Sequence, residues 1–220
     1  MMHNINIIHE DSEIYIINKP AGIASQGGEK VTSSIDTVFA EQVGQKIYLV
    51  HRLDKDTSGL MIIAKNPTSA NKWTKLISSK SVKKEYLAIC VGSLKNKQGI
   101  IKEDLIQHGA QKQAITHYSV EKEWNVQIEE ENLTFSLVRL ILETGRMHQI
   151  RIHLAKQNCP IIADDQHGNF KLNKLLKKHL KIKKLMLAAV KLTIPNPKNT
   201  DIYQIQLPEH MADLIHWLLH

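Results

Sequence analysis

Ile47-Tyr48-Leu49-Val50-His51-Arg52-Leu53-Asp54-Lys55-Asp56-Thr57-Ser58-Gly59-Leu60-Met61-Ile62-Ile63-Ala64 is two apolar runs around a charged centre. Residues 47–50 and 60–64 are too short for helices and rich in β-branched and aliphatic side chains, so each reads as a strand. The polar centre, closed by Gly59, is then a loop at one end of a sheet, where functional groups often sit. It packs an Arg, two Asp, a Thr and a Ser into a few positions.

Working outward, residues 5–8 and 14–17 form two further strands, the second running into Asn18-Lys19-Pro20-Ala21-Gly22. A Gly/Ser/Thr-containing loop over 25–34 leads to a short helix, 35–43, closed by Gly44. Beyond the opening stretch, 67–79 predicts a helix with Ala70, Trp73, Leu76 and Ile77 on one face. Residues 83–91 predict a strand ending at Gly92. Residues 93–113 read as polar loop, 114–120 and 133–142 as strands joined by an acidic connection, and 146–156 as a helix. A Lys-rich helix over 171–184, strands at 185–194 and 203–207 and a C-terminal helix from 211 complete the chain. Strands and helices alternate without a regular βαβ rhythm, which predicts an α+β fold with a mixed, mostly antiparallel sheet.

The chain has 220 residues, 42% hydrophobic and 23% charged, enough for one large domain or two small ones. No apolar run approaches the roughly 20 residues that span a bilayer. The first residues lack the basic start and apolar stretch of a secretory signal, so a cytoplasmic location is expected. Cys90 and Cys159 form neither a disulfide framework nor a four-ligand zinc set, and read as buried thiols. His148 and His153 lie five apart with no Glu placed as in a zinc-protease helix, so no metal is expected. P-loop and nucleophile-elbow patterns are also missing.

The net charge of +7 suggests an anionic partner, nucleic acid being the usual one. Seven lysines between 171 and 184, with no acid, supply that whole excess; the rest of the chain is balanced. Such a run is either an RNA-backbone surface, through residues such as Lys174, Lys178 and Lys181, or a solvated face. Arginine is rare: Arg52, Arg139, Arg146 and Arg151 are all the chain has. Three of them fall in 51–59 and 143–154, which directs attention there. Asp54 is a general base or nucleophile if a cation keeps it ionised, or else the cap of an Asx-turn. Arg146, His148, Gln149 and Arg151 either bind phosphate and base edges or line an exposed helix of mixed polarity. If the segment is extended, Arg52 shares a face with Asp54; a turn would separate them.

The run His51-Arg52-Leu53-Asp54-Lys55-Asp56-Thr57-Ser58-Gly59-Leu60 resembles the signature of the RluA-type pseudouridine synthases, which act on ribosomal large-subunit and other RNA. Three other segments resemble further motifs of that family in order and spacing. They are Asn18-Lys19-Pro20-Ala21-Gly22, Lys84-Glu85-Tyr86-Leu87-Ala88 and Gly145-Arg146-Met147-His148-Gln149-Ile150-Arg151-Ile152-His153. The resemblance implies a pseudouridine synthase core around an active-site cleft, as one catalytic domain over 1–220. It also implies a short member without the separate N-terminal RNA-binding domain. Asp54 is then the catalytic aspartate, Tyr86 stacks on the target uracil, Arg151 pairs with Asp54, and Arg52 fills the space left by a flipped nucleotide. With Arg52, the residues expected at RNA are His51, Arg146, His148, Gln149, Lys174, Lys178 and Lys181.

The implied reaction is an isomerisation of uridine to pseudouridine, so no cofactor is expected; a monomer is expected too. Where the family often has Gly-Asp-x-x-Tyr-Gly, this chain reads Ala163-Asp164-Asp165-Gln166-His167-Gly168. The region from Asp164 to Ala189 is most similar to the branch that modifies large-subunit ribosomal RNA, while a transfer-RNA branch also has His-Gly here. Transfer RNA therefore stands as the alternative substrate, and a catalytically silent RNA-binding protein as the alternative from another class.

Overall fold

The structure, a computed structural model, describes residues 4–28, 33–107, 109–196 and 199–220. Part of the loop expected over 25–34, and Pro197 of the expected turn, lie outside the described residues. The chain divides into two compact units, Met1–Lys84 with Ala189–Gln206, and Glu85–Ala188 with Leu207–His220.

In the first unit, β1 (Asn6–Glu10), β2 (Ile14–Lys19) and β4 (Ser58–Ala64) pair antiparallel in that order. A two-residue β3 (Tyr48–Leu49) also pairs with β4. β11 (Leu187–Pro195) neighbours β4 and pairs antiparallel with β12 (Thr200–Gln204). Every residue of β4 is buried, which is why its sequence shows a continuous apolar run and not alternation. One face carries Leu60, Ile62 and Ala64 into a cluster with Ile14, Ile16, Leu192, Ile194 and Trp73. Trp73 comes from α2 (Pro67–Ser78), which begins with Asn66 accepting the Ser69 N–H and a Pro in its first turn. Toward the other face, Phe39 of α1 (Ile35–Val43) meets the Tyr15 ring edge-on at 5.2 Å.

The second unit holds β5 (Lys83–Val91, of which Glu85 onward belongs here), β10 (Glu131–Leu142), β9 (Ile115–Ile128) and β6 (Gln98–Lys102) in antiparallel order. A separate hairpin joins β7 (Leu105–Gln107) and β8 (Ala110–Lys112). The helices are α3 (Gln149–Lys156), α4 (Phe170–Leu180) and α5 (Glu209–Leu219). The expected α+β class, with mostly antiparallel strands, is what the chain adopts.

Three expectations are corrected. Residues 93–113 hold three short strands and are not simply loop; β8 is exposed throughout, so it has no buried face to leave an apolar pattern. The first strand of the long hairpin runs to Ile128, and the acidic connection shrinks to a turn at Glu129-Glu130 with Glu129 at φ 54°. The Lys-rich helix stops at Leu180, because Lys181 turns left-handed at φ 57° and the chain then buries Ile182 and Leu185.

Candidate active site

The 51–59 loop is tied down from several sides. Leu53 is buried; its N–H donates to Ser25 Oγ at 3.0 Å, and the Ser25 hydroxyl donates to the Leu53 carbonyl at 2.6 Å. The loop turns at Lys55-Asp56, after Asp54, and the Thr57 N–H closes it on the Asp54 carbonyl at 3.2 Å. Lys19 enters from β2, wholly buried, and its ammonium donates to the carbonyls of Pro20, Ile23 and Lys55 at 3.0, 2.7 and 2.9 Å. Burial lowers the Lys19 pKa to about 8, against the pull of the Asp56 and Asp54 carboxylates. At the far end, Gly59 sits at φ +112°, where a Cβ would come within 2.2 Å of the Ala189 carbonyl oxygen. That position admits only glycine. Asp54 is half-buried and Arg52 exposed.

His51, half-buried, anchors the loop through its ring. Its Nε2 accepts the Ile62 N–H at 3.0 Å, and burial, helped by the Lys84 charge, pushes its pKa well below the usual value. The ring is therefore neutral, with its proton on Nδ1.

The second unit places Tyr86 on β5, buried and opposite Leu140 of β10. Arg151 on α3 is buried and gripped by Asp164. Nε donates to Oδ2 at 2.8 Å and Nη2 to Oδ1 at 2.7 Å, a bidentate fork, with Asp165 at 3.3 Å from Nη2. Burial alone would raise the Asp164 pKa, but Arg151 and the N–H groups of His167 and Gln166 hold it below the ordinary carboxylate value. The Asp164 turn explains two features of the 163–168 segment. Ala163 adopts φ +59°, and Gly168 leaves no room for a Cβ, which would lie 2.3 Å from the Asp164 carbonyl oxygen.

The helix expected from Arg146 begins at Gln149, because His148 caps it in the left-handed region at φ 54°. Gln149 is buried with its amide fully used. Oε1 accepts from the Thr144 hydroxyl and the Arg146 N–H, and Nε2 donates to the Ile115 carbonyl and Thr116 Oγ1. It shapes the arginine loop from inside, which corrects the expectation of an RNA contact. Arg146 is half-buried, its Nε donating to the Gln113 carbonyl at 3.1 Å, and His148 Nδ1 lies 2.9 Å from His167 Nε2.

The family profile described as RNA pseudouridylate synthase matches residues 13–156, a span that includes Lys19, Asp54, Tyr86 and Arg151. The chain belongs to that family. A Rickettsia bellii (strain RML369-C) protein named ribosomal large subunit pseudouridine synthase C is 41% identical over 180 residues, covering 76% of this chain and 58% of that protein. A namesake from Buchnera aphidicola subsp. Acyrthosiphon pisum (strain APS) is 34% identical over 208 residues, covering 92% of this chain and 66% of its own length. This chain thus spans little more than half the length of the Rickettsia relatives it matches. The solved structure of human RNA pseudouridylate synthase domain containing 4 superposes with a TM-score of 0.77 at 25% identity, covering 97% of this chain and 93% of that one.

In this pseudouridylate synthase family member the Lys-rich helix is partly occupied. Lys178 and His179 reach Glu129 at 3.0 and 2.7 Å, and Lys171 reaches Glu131 at 3.1 Å, all exposed. Lys174 and Lys177 are exposed and make no ion pair among the described residues. Lys181 Nζ donates to the Lys178 carbonyl. Sequence reading missed three structural supports, Lys19, Ser25 and Asp164. Lys19 left a signal, a lysine closing an otherwise apolar strand.

Proposed function

We propose that the protein is an RNA pseudouridine synthase, isomerising uridines of large-subunit ribosomal RNA, with both units acting as one catalytic domain. The observation that carries this reading is the His51–Leu60 run held as a braced loop with Asp54 half-buried at its turn. The names of the relatives support ribosomal RNA as substrate, and a family match that runs through both units supports the single domain.

In the proposed reaction the N1–C1′ bond of a uridine breaks, the freed base turns, and C5 bonds to C1′ as the C5 proton leaves and N1 takes up a proton, so no atom is gained or lost. Asp54 is the catalytic aspartate, acting as nucleophile or as base. Tyr86 stacks on the uracil and serves removal of the C5 proton. Arg151, oriented by Asp164, pairs with Asp54. The nucleotide must leave its stack, at a cost of a few kcal/mol, and Arg52, exposed on the same loop, fills the gap it leaves. Arg146, His148 and the lysines 174, 178 and 181 hold the RNA, while His51 and Gln149 shape the loops that carry these groups.

The test is tritium release from RNA transcribed with [5-³H]uridine. Asp54→Asn is expected to lower the rate by at least about a thousand-fold while RNA affinity stays near that of the parent. A near-normal rate would overturn the assignment of Asp54. Wild-type protein that binds RNA without releasing tritium would instead favour a silent binder.

A further inference from the structure

Lys84 lies on β5 two residues before Tyr86, so the two side chains alternate onto one strand face. Glu85, on the opposite face, is committed elsewhere: its Oε2 accepts from Arg139 Nη1 at 3.1 Å. Lys84 is half-buried, and it makes no hydrogen bond or ion pair among the described residues. Burial alone lowers its pKa, to about 8, with no carboxylate acting the other way. Its charge is felt at the buried ring of His51, the residue that roots the loop bearing Arg52 and Asp54. Lys19 offers the contrast. That buried ammonium is met by three carbonyls, as a cation with a structural role must be.

We infer that Lys84 is an anion-binding residue that takes a backbone phosphate of the RNA strand beside the reacting uridine. The inference rests on the proposed RNA reading and adds to it a defined contact. A desolvated ammonium with no internal partner gains most from a full negative charge, because the interaction strengthens as water is excluded. In RNA that charge is the phosphodiester; the carbonyl oxygens of a uracil are neutral dipoles. The site is thus prepared in advance, and the cost of burying the cation is offset only when the strand arrives.

The test measures binding of unmodified, in vitro transcribed large-subunit ribosomal RNA over a series of KCl concentrations, with thermal melting in parallel. Lys84→Met is expected to weaken binding and to flatten the slope of log affinity against log salt by about 0.7 to 0.9, the share of one phosphate contact. Lys84→Arg is expected to keep the slope. The melting temperature of Lys84→Met is expected to be no lower than that of the parent, since it removes a charge the fold does not satisfy. An unchanged slope in Lys84→Met would overturn the inference, and so would a slower reaction at unchanged slope, which would place Lys84 at the base. Failure of the catalytic reading shows separately, as absent tritium release in the wild-type protein.

Discussion

Lys19 holds a full charge where no water reaches it. Its pKa of about 8 lies below the free value of 10.5, so on raising the pH the native state gives up the proton first. Between those two values the unfolded chain binds more protons, and stability must climb with pH across that window. The displacement corresponds to a penalty on the order of 3 kcal/mol at neutral pH. Urea unfolding at pH 7 and near the top of the window is expected to show wild-type protein gaining that much relative to Lys19→Met. A pH-independent difference would mean that the ammonium is better solvated than the structure has it. The residue scale is also where sequence reading stopped short. Asp54, Tyr86 and Arg151 stand out in a linear string because their types and spacing match a motif. Their supports come from far along the chain, as Ser25 does for Leu53, and such pairings have no local signature. For the same reason His51 and Gln149 read as RNA contacts: a polar residue in a polar motif shows its burial only once its partners are folded around it.

At the scale of elements, legibility follows burial. The bounds of α1 and β5 were readable to the residue, because Gly44 and Gly92 punctuate them and an apolar face runs through each. β6 to β8 were invisible for the opposite reason, being short and largely solvated. The lysine helix was legible as a helix but not in its partnership with the tip of the β9–β10 hairpin. Those ion pairs are exposed, each worth about 0–1 kcal/mol, so they barely stabilise the fold, yet they would compete with any RNA phosphate for Lys171 and Lys178. Replacing Lys174, Lys177 and Lys181 by Gln is expected to weaken RNA binding and to flatten its salt dependence. Glu129→Gln combined with Glu131→Gln is expected to steepen it by about one or two contacts, with little change in melting temperature. Salt slopes that ignore both sets of changes would make α4 a solvated face only.

For the whole molecule the open choice is between substrates. Pseudouridine mapping across ribosomal and transfer RNA, with the gene present and deleted, is expected to show losses confined to large-subunit ribosomal RNA. Losses in transfer RNA instead would favour the alternative that His167-Gly168 suggested. The α+β class was readable from strand and helix counts, but the division into two units was not, because nothing in composition marks Lys84 or Ala188 as a boundary. The path of the chain explains this: the first unit is completed by a segment, Ala189–Gln206, that returns between the two segments of the second. The glycine at 59 is fitted against Ala189, and β4 has β11 as a neighbour, yet about 130 residues of synthesis separate the two. At roughly 5–20 residues per second a nascent chain waits on the order of ten seconds with that flank of β4 uncovered. The ribosome therefore makes the loop bearing Asp54 early and its backing late. An enzyme that modifies ribosomal RNA by this loop would stay inert toward the particle translating it until β11 has been made.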